Sequence, residues 1–216
     1  MPMIPKTAAI LTALLALGCQ NPADRCELTE SCPFPDLAGS DLATTQPKCA
    51  AAKGLTGDTL VCVDFSKVNG LTDPLLIGWD FTSLCPAGWE IVVGKLQVKN
   101  FGSFASSCSF TMPALSAADF QKYASYTLAV VQRVDLNSLQ QKAQVMLGGD
   151  DDQKRLLDWM TGPQPRQKKV YEITKGDLPT AAMGGFQPFF KLNSAVGFGA
   201  GYQGWQIESI AVMGNP

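Results

Sequence analysis

The sequence contains no histidine among its 216 residues. This absence excludes Ser-His-Asp triads, Cys-His nucleophiles, histidine general bases and histidine-ligated metal centres. The seven cysteines include no C-x-x-C pair, so a structural zinc site is not expected either. We therefore predict a protein that is not an enzyme and holds no organic cofactor.

Charge is also scarce and unclustered. The sequence has 17 basic and 19 acidic residues, for a formal net charge of −2, and no Arg-rich segment. A nucleic-acid partner is not expected, because nucleic-acid-binding domains carry a clustered positive charge.

Carboxylates are the acid–base groups that remain. Those in or beside apolar segments are Asp64, Asp80, Glu90, Asp135 and Glu208. Two facing carboxylates would allow the alternative of a carbohydrate-active enzyme. Exposed strand positions explain these residues equally well, and we favour that interpretation.

The apolar run at residues 8–17 contains one polar residue, Thr12, and is shorter than the roughly 20 residues that span a bilayer. It follows Lys6 and ends in the segment LLALGCQ at residues 14–20, where Gly18 precedes Cys19. A basic start, a short apolar centre and a small residue before the cut are typical of a cleaved export signal.

The segment resembles the lipobox of bacterial lipoproteins, with Ala16 and Leu17 in swapped order. The resemblance implies a signal peptide over residues 1–18 and lipidation of Cys19, which would anchor the protein to a membrane of the bacterial cell envelope. Gln20 is not the Asp that retains lipoproteins in the inner membrane of enteric bacteria, so we expect the outer membrane. The alternative is an ordinary secretory signal that happens to end before a cysteine.

Six cysteines remain once Cys19 is assigned to the lipid. An even number in an exported chain indicates disulfides, with 15 connectivities open to six cysteines. Pairing between neighbours closes short loops at low entropic cost. We therefore predict the pairs Cys26–Cys32, Cys49–Cys62 and Cys85–Cys108.

Residues 19–48 are predicted to form a flexible acidic tether after the lipidated cysteine. Residues 20–48 carry five acidic and two basic residues and few large apolar ones, a composition that cannot fill a core. The pattern changes near Cys49, and residues 49–216 are predicted to form one folded domain.

The domain contains many short apolar or alternating segments separated by Gly, Pro and Asn. The clearest is 126–136, where apolar and polar residues alternate as in a strand with one buried face. We also expect strands at 59–65, 75–81, 89–93, 96–101, 109–112, 141–147, 169–173, 189–192 and 205–213. Residues 155–160 fit a strand or a helix, and 116–119 fit one helical turn.

The last segment has Trp205 and Ile207 on one face and Ile210 and Val212 on the other. A bulge near Glu208 would turn all four inward. The sequence predicts an all-β fold with little helix, an antiparallel β-sandwich. The spacing of this segment resembles the final strand of jelly-roll modules, including carbohydrate-binding and MAM-like domains, so we expect a jelly-roll-like sandwich. Its first and last strands should be paired or adjacent, and both interior.

Two features are candidates for binding. Trp159, beside a Thr-Gly-Pro turn, is the tryptophan most expected to be exposed and is the candidate ligand-binding residue, whereas Trp79 and Trp205 are expected in the core. The Asp150-Asp151-Asp152 run could hold calcium through carboxylate oxygens, although a solvated turn is the commoner outcome. We expect a glycan or an envelope protein as partner, in a binding or structural role.

Overall fold

The computed structural model describes residues 49–81, 85, 88–99, 106–115, 121–136, 141–148, 155–177, 187–194 and 204–216. Ten strands cover most of these residues: β1 Asp58–Asp64, β2 Trp89–Val92, β3 Lys95–Val98, β4 Ser106–Thr111, β5 Ser125–Asp135, β6 Gln141–Gly148, β7 Arg155–Met160, β8 Gln164–Thr174, β9 Gln187–Ser194 and β10 Gly204–Asn215. Short 3-10 turns lie at Ala50–Ala52, Phe65–Lys67, Pro74–Leu76 and Lys175–Asp177. Within these ranges, no helix has the length and apolar character needed to cross a membrane.

The strands form two antiparallel sheets. The large sheet has six strands, with the order β2-β3-β10-β5-β8 and with β1 also paired to β10. The small sheet has four strands, in the order β4-β9-β6-β7. The orders β3-β10-β5-β8 and β4-β9-β6-β7 together make the two Greek-key sheets of a jelly roll. The predicted all-β, jelly-roll-like sandwich is confirmed.

The core lies between the two sheets, and its centre is aromatic. Trp205 of β10 is fully buried, with its indole 5.8 Å from Phe190 of β9. Its Nε1 donates a 2.8 Å hydrogen bond to Oε1 of Gln132, which satisfies two buried polar groups at once. Trp79 is partly buried and stacks on Phe110, so the prediction that both tryptophans belong to the core is confirmed.

Strand β10 contains the bulge expected near Glu208. Its pairing with β5 shifts between Ile207 and Ser209. Because the shift reverses the alternation, Ile207 and Ile210 both lie in the core. Strand β1 pairs with β10, as predicted for the first and last strands. The expectation that β1 is interior is wrong, since the described pairings of β1 involve β10 alone.

The outer face of the large sheet is covered at its centre by residues 49–55, which we call the N-terminal cover. Ala51 and Ala52 of the cover pack with Ala129 and Val131 of β5. Strand β5 is therefore buried on both faces over most of its length, and the prediction of one buried face is wrong. The physical reason is that its outward residues in this stretch are small enough for a second layer to lie on them.

The structure contains two of the three predicted disulfides. Cys49–Cys62 attaches the cover to β1, and Cys85–Cys108 joins the segment before β2 to β4. These two pairings are confirmed. The remaining predicted pair, Cys26–Cys32, lies outside the described residues, as do Cys19, the turn at 116–119 and the Asp150-Asp151-Asp152 run, and all of these stay predictions.

The apolar segment 75–81 does not form the predicted strand. Pro74–Leu76 is a 3-10 turn, and Asp73 caps it by accepting a 2.9 Å hydrogen bond from the backbone N–H of Leu75. Gly78 follows with a φ of 81°, so the backbone reverses where a strand would continue. A single bridge between Asp80 and Thr111 joins this segment to β4. By contrast, the ambiguous segment 155–160 is a strand, β7.

Candidate ligand-binding face

The outward side chains of the small sheet form three rows that run across the strands. The pairing register of β4, β9, β6 and β7 defines them, because residues directly opposite each other share a face. The first row is Ser107, Asn193 and Lys142; the second is Ser109, Lys191, Gln144 and Trp159; the third is Thr111, Phe189, Met146 and Leu156. Ser109, at the β4 end of the second row, is buried at 1% exposure, so we call the surface formed by Asn193, Lys142, Lys191, Gln144 and Trp159 the Trp159 face.

Trp159 is the most exposed of the four tryptophans. Its side chain lies at the edge strand β7 and is 51% exposed, whereas Trp205 is fully buried and Trp89 nearly so. The prediction that Trp159 would be exposed is confirmed. A large amphipathic ring that remains half in solvent offers both an apolar surface and a hydrogen-bonding N–H.

Asp158 holds the backbone at this position. Its Oδ1 accepts a 2.8 Å hydrogen bond from the backbone N–H of Trp159. Its Oδ2 accepts from Nζ of Lys169 at 3.1 Å and from the hydroxyl of Tyr171 at 2.8 Å. Lys169 and Tyr171 belong to β8 of the large sheet, so one carboxylate joins the edges of the two sheets beside Trp159.

The Tyr171 hydroxyl has a strongly altered acidity. Burial raises the pKa of Tyr171 well above its ordinary value, and the negative charge and hydrogen bond of Asp158 raise it further. Tyr171 therefore stays protonated and keeps donating its hydrogen bond to Asp158 well into alkaline solution.

Polar side chains surround the indole on the Trp159 face. Nζ of Lys142 lies 4.1 Å from the centroid of the Trp159 ring, a cation–π contact worth about 0.5–1 kcal/mol at an exposed site. Gln144, directly opposite Trp159, accepts a 2.7 Å hydrogen bond from Nδ2 of Asn193. Lys191 lies opposite Gln144 on β9. The face therefore combines an aromatic ring with amide and ammonium groups.

The third row is more apolar than the first two. Phe189 and Met146 are buried, at 6% and 9% exposure, and Leu156 is 44% exposed. The outward positions of the small sheet thus change along its strands from polar and partly exposed at Lys142 and Asn193 to apolar and buried at Met146 and Phe189, with Trp159 between them.

The outer face of the large sheet has a different character. A depression of about 420 Å³ lies beside the cover-free end of β5 and is lined by Arg133, Asp135, Gln164, Arg166 and nearby residues. Arg166 forms an ion pair there with Glu208, with 2.7 Å between Nη2 of Arg166 and Oε2 of Glu208. Among the described residues that line the depression none is aromatic, so this part of the surface offers fewer kinds of contact than the Trp159 face.

Of the candidate carboxylates, Asp135 lines this depression and Glu208 pairs with Arg166, which also lines it, whereas Glu90 and Asp64 have other partners. Glu208 is paired with Arg166, Glu90 accepts a hydrogen bond from Gln97 at 3.1 Å, and Asp64 caps the turn after β1 by accepting from Ser66. The carboxyl groups with clearly altered acidity, Asp58 and Asp73, have pKa values lowered by hydrogen bonds, first of all from Tyr123 and from the backbone of Asn69. A general acid in glycoside hydrolysis needs the opposite, a raised pKa.

The described ranges contain no group of three or more His, Cys, Asp or Glu residues that could hold a metal ion.

The sequence analysis did not identify four polar neighbours of Trp159: Lys142, Gln144, Lys191 and Asn193. Lys142 and Gln144 alternate with the core residues Ala143 and Val145, which was a usable signal for an outward face, but their proximity to Trp159 depends on strand register.

Comparisons with known proteins give no family model and no curated protein that matches the chain. Solved structures with a similar fold include a family 29 carbohydrate-binding module (11% identity, 72% of this chain, 94% of that chain, TM-score 0.43). Another is the second N-terminal cellulose-binding domain of a Cellulomonas fimi β-1,4-glucanase (13% identity, 80% of this chain, 98% of that chain, TM-score 0.42). A third is a xylan-binding domain from Paenibacillus barcinonensis (10% identity, 78% of this chain, 97% of that chain, TM-score 0.38). Because all three TM-scores are below 0.5, the fold assignment rests on the strand order of this protein.

Proposed function

We propose that the protein is a non-catalytic glycan-binding protein and that the Trp159 face is its binding surface. The observation that carries the proposal is a half-exposed indole set in a row of hydrogen-bonding side chains. A pyranose ring has an apolar face of C–H groups and a rim of hydroxyls. The indole can stack on the first, while Gln144, Asn193 and the lysines can hydrogen-bond the second.

The geometry around Trp159 favours a preorganised binding surface. The rows lie on four paired strands, whose backbones are held by the ladder hydrogen bonds, and Asp158 holds the backbone of Trp159. Binding residues placed on rigid elements lose little conformational freedom on binding, which increases affinity. The ammonium of Lys142 covers part of the indole and would be displaced or shared when a sugar stacks there.

The test is binding of the full-length protein to a panel of soluble polysaccharides, followed by calorimetry. Trp159→Ala should weaken binding at least about tenfold, as expected for an aromatic anchor worth 1.4 kcal/mol or more. Trp159→Phe should retain part of the affinity. Val170→Ala, which shortens an exposed apolar side chain on β8 of the large sheet, is the matched control and should leave binding unchanged.

Two results would contradict the proposal. One is a folded protein that binds no member of the panel. The other is glycan binding that survives Trp159→Ala, which would place the binding surface elsewhere. Thermal unfolding of each variant checks that a loss of binding does not come from a loss of fold.

We also propose that the protein is lipid-anchored in the bacterial cell envelope, in the outer membrane, through Cys19. The support is the lipobox-like segment at residues 14–20. Cys19→Ala should abolish labelling by a palmitate analogue and leave an unprocessed precursor, whereas Cys32→Ala should be labelled normally. Unchanged labelling of the Cys19 variant would refute the anchor.

A further inference from the structure

The charge on the Trp159 face is of one sign. Lys142 and Lys191 contribute two ammonium groups, and the three rows contain no carboxylate. Within the part of the chain that the structure describes, neither lysine forms an ion pair; Lys142 contacts the Trp159 ring instead. Among the described residues, no carboxylate in these rows compensates the positive charge of the face, in a protein whose formal net charge is −2.

Several basic groups elsewhere on the sandwich are neutralised by a carboxylate, although others, such as the exposed Lys67, form no ion pair with a described residue. Arg166 is paired with Glu208 across the outer face of the large sheet, and Lys169 is paired with Asp158 at the sandwich edge. Lys122 is paired with Asp58. Lys142 and Lys191 have no such partner among the described residues and lie beside an exposed indole, so they are available for an external anion at the Trp159 face.

The two lysines flank the polar groups of the face. Lys191 is opposite Gln144, and Asn193 is opposite Lys142, so the four side chains occupy the corners of a quadrilateral on β6 and β9. The lysines are at diagonal corners, where cross-strand positions lie about 7–8 Å apart. The hydrogen-bonded pair of Gln144 and Asn193 occupies the other two corners, and Trp159 adjoins the Gln144 corner.

We propose that the ligand is an acidic polysaccharide whose sugar rings carry carboxylates, that is, a uronic-acid polymer. This inference rests on the proposed glycan-binding function and specifies its ligand. A uronate unit stacks its ring on Trp159 and places its carboxylate within reach of Lys142, and a carboxylate of the same chain meets Lys191. Ring stacking provides the sugar selectivity, and the two ammonium groups provide the selectivity for acidic over neutral chains.

The experiment compares matched ligands and matched variants of the full-length protein. The ligands are polygalacturonate, alginate and hyaluronan, each beside its methyl-esterified form, which keeps the backbone and removes the charge. Dextran sulfate and vesicles of phosphatidylglycerol serve as anions without uronate rings. The variants are Lys142→Gln, Lys191→Gln, the double variant and Trp159→Ala; Lys67→Gln, an exposed lysine after β1, is the control.

We expect at least one uronate polymer to bind about tenfold more tightly than its methyl ester. Each lysine variant should weaken binding of the acid form by about two- to fivefold, the range for exposed charge pairs, and should leave binding of the ester nearly unchanged. Trp159→Ala should weaken both forms, and Lys67→Gln neither. Added salt should weaken the acid form preferentially, because it screens exposed charges.

The other outcomes overturn the inference in different ways. Equal, Trp159-dependent binding of acid and ester forms would refute the uronate ligand while leaving glycan binding intact. Binding of dextran sulfate or vesicles as strong as that of uronates, and insensitive to Trp159→Ala, would show that any anion suffices. Absence of binding to every polysaccharide would refute the proposed function and the inference together.

Discussion

Replacement of Asp158 by alanine should destabilise the domain by about 3 kcal/mol, because this carboxylate joins the edges of the two sheets. Its Oδ2 accepts hydrogen bonds from Lys169 and Tyr171, and its Oδ1 accepts one from the backbone of Trp159. The side chains of Asp158 and Lys169 are 21% and 30% exposed. Fully buried hydrogen bonds to charged groups contribute about 1.5–3 kcal/mol each, and partial exposure reduces each of these three to about 1 kcal/mol.

The measurement is denaturant and thermal unfolding of the native protein and the variant. For a domain of this size, about 3 kcal/mol corresponds to a fall in Tm of about 6–12 °C. Asp158→Asn keeps acceptor capacity but loses the charge, and about half the effect is expected. Glu172→Ala, an exposed carboxylate on the outer face of β8, is the control and should change stability by less than about 0.5 kcal/mol.

A double-mutant cycle with Tyr171→Phe isolates one of the hydrogen bonds. The coupling free energy between Asp158 and Tyr171 should be about 1–2 kcal/mol. A loss of less than about 0.5 kcal/mol in Asp158→Ala, together with zero coupling, would refute the conclusion that this carboxylate holds the sheet edges together. Because Asp158 also fixes the backbone of Trp159, glycan affinity should fall in the same variant even where it remains folded.

Three further outcomes are expected. Burial and then Asp158 raise the pKa of Tyr171 above its ordinary value of 10.0. The contribution of Tyr171 to the free energy of unfolding is therefore complete below pH 10 and is lost as pH rises beyond it. The difference in melting temperature between the native protein and Tyr171→Phe should accordingly be smaller at about pH 11 than at neutral pH. Joint replacement of Cys49 and Cys62 by alanine should cost about 2–3 kcal/mol, measured by urea unfolding, and should make the N-terminal cover cleavable by protease in the native state. Gly94→Ala should cost about 1–2 kcal/mol in the same assay, because Gly94 has a φ of 72° and an added Cβ would lie 2.9 Å from Cα of Ser66.

The fold was predictable where residue pattern and packing agree. The spacing of Trp205, Ile207 and Ile210 required a bulge in a strand with one core face, and the bulge is present between Ile207 and Ser209. Period-2 alternation located β5 and β6 to within about a residue at their start. These segments were predictable because most of their core-facing residues are large and because Asn137 and Gly148-Gly149 mark where they end.

Predictions failed where tertiary contacts override the local pattern. The outward residues of β5 include the polar Thr127 beside the apolar Ala129 and Val131, and the sequence does not show that residues far upstream would cover Ala129 and Val131. In residues 75–81 the apolar composition favoured a strand, but Pro74 supplies no backbone N–H and Gly78 takes a positive φ. Local propensity is a weak guide when two such residues bracket a short run.

The binding face could be predicted only in part, for a related reason. Trp159 was identified by its position beside a turn, which the chain displays directly. Its neighbours Gln144 and Lys191 come from two other strands, and their approach depends on a register that no single segment encodes. The charge of the face follows from the same register.

The two outer faces of the sandwich differ because their outward side chains differ in size. Ala129 and Ala211, at the centre of the large sheet, leave room for the N-terminal cover to lie flat on the strands, and the disulfide from Cys49 holds it there. Long polar side chains and an indole occupy the corresponding positions of the small sheet, where a covering segment would have to bury their polar groups at a cost in free energy. Cys49, the first described residue, therefore lies on the side of the sandwich opposite Trp159.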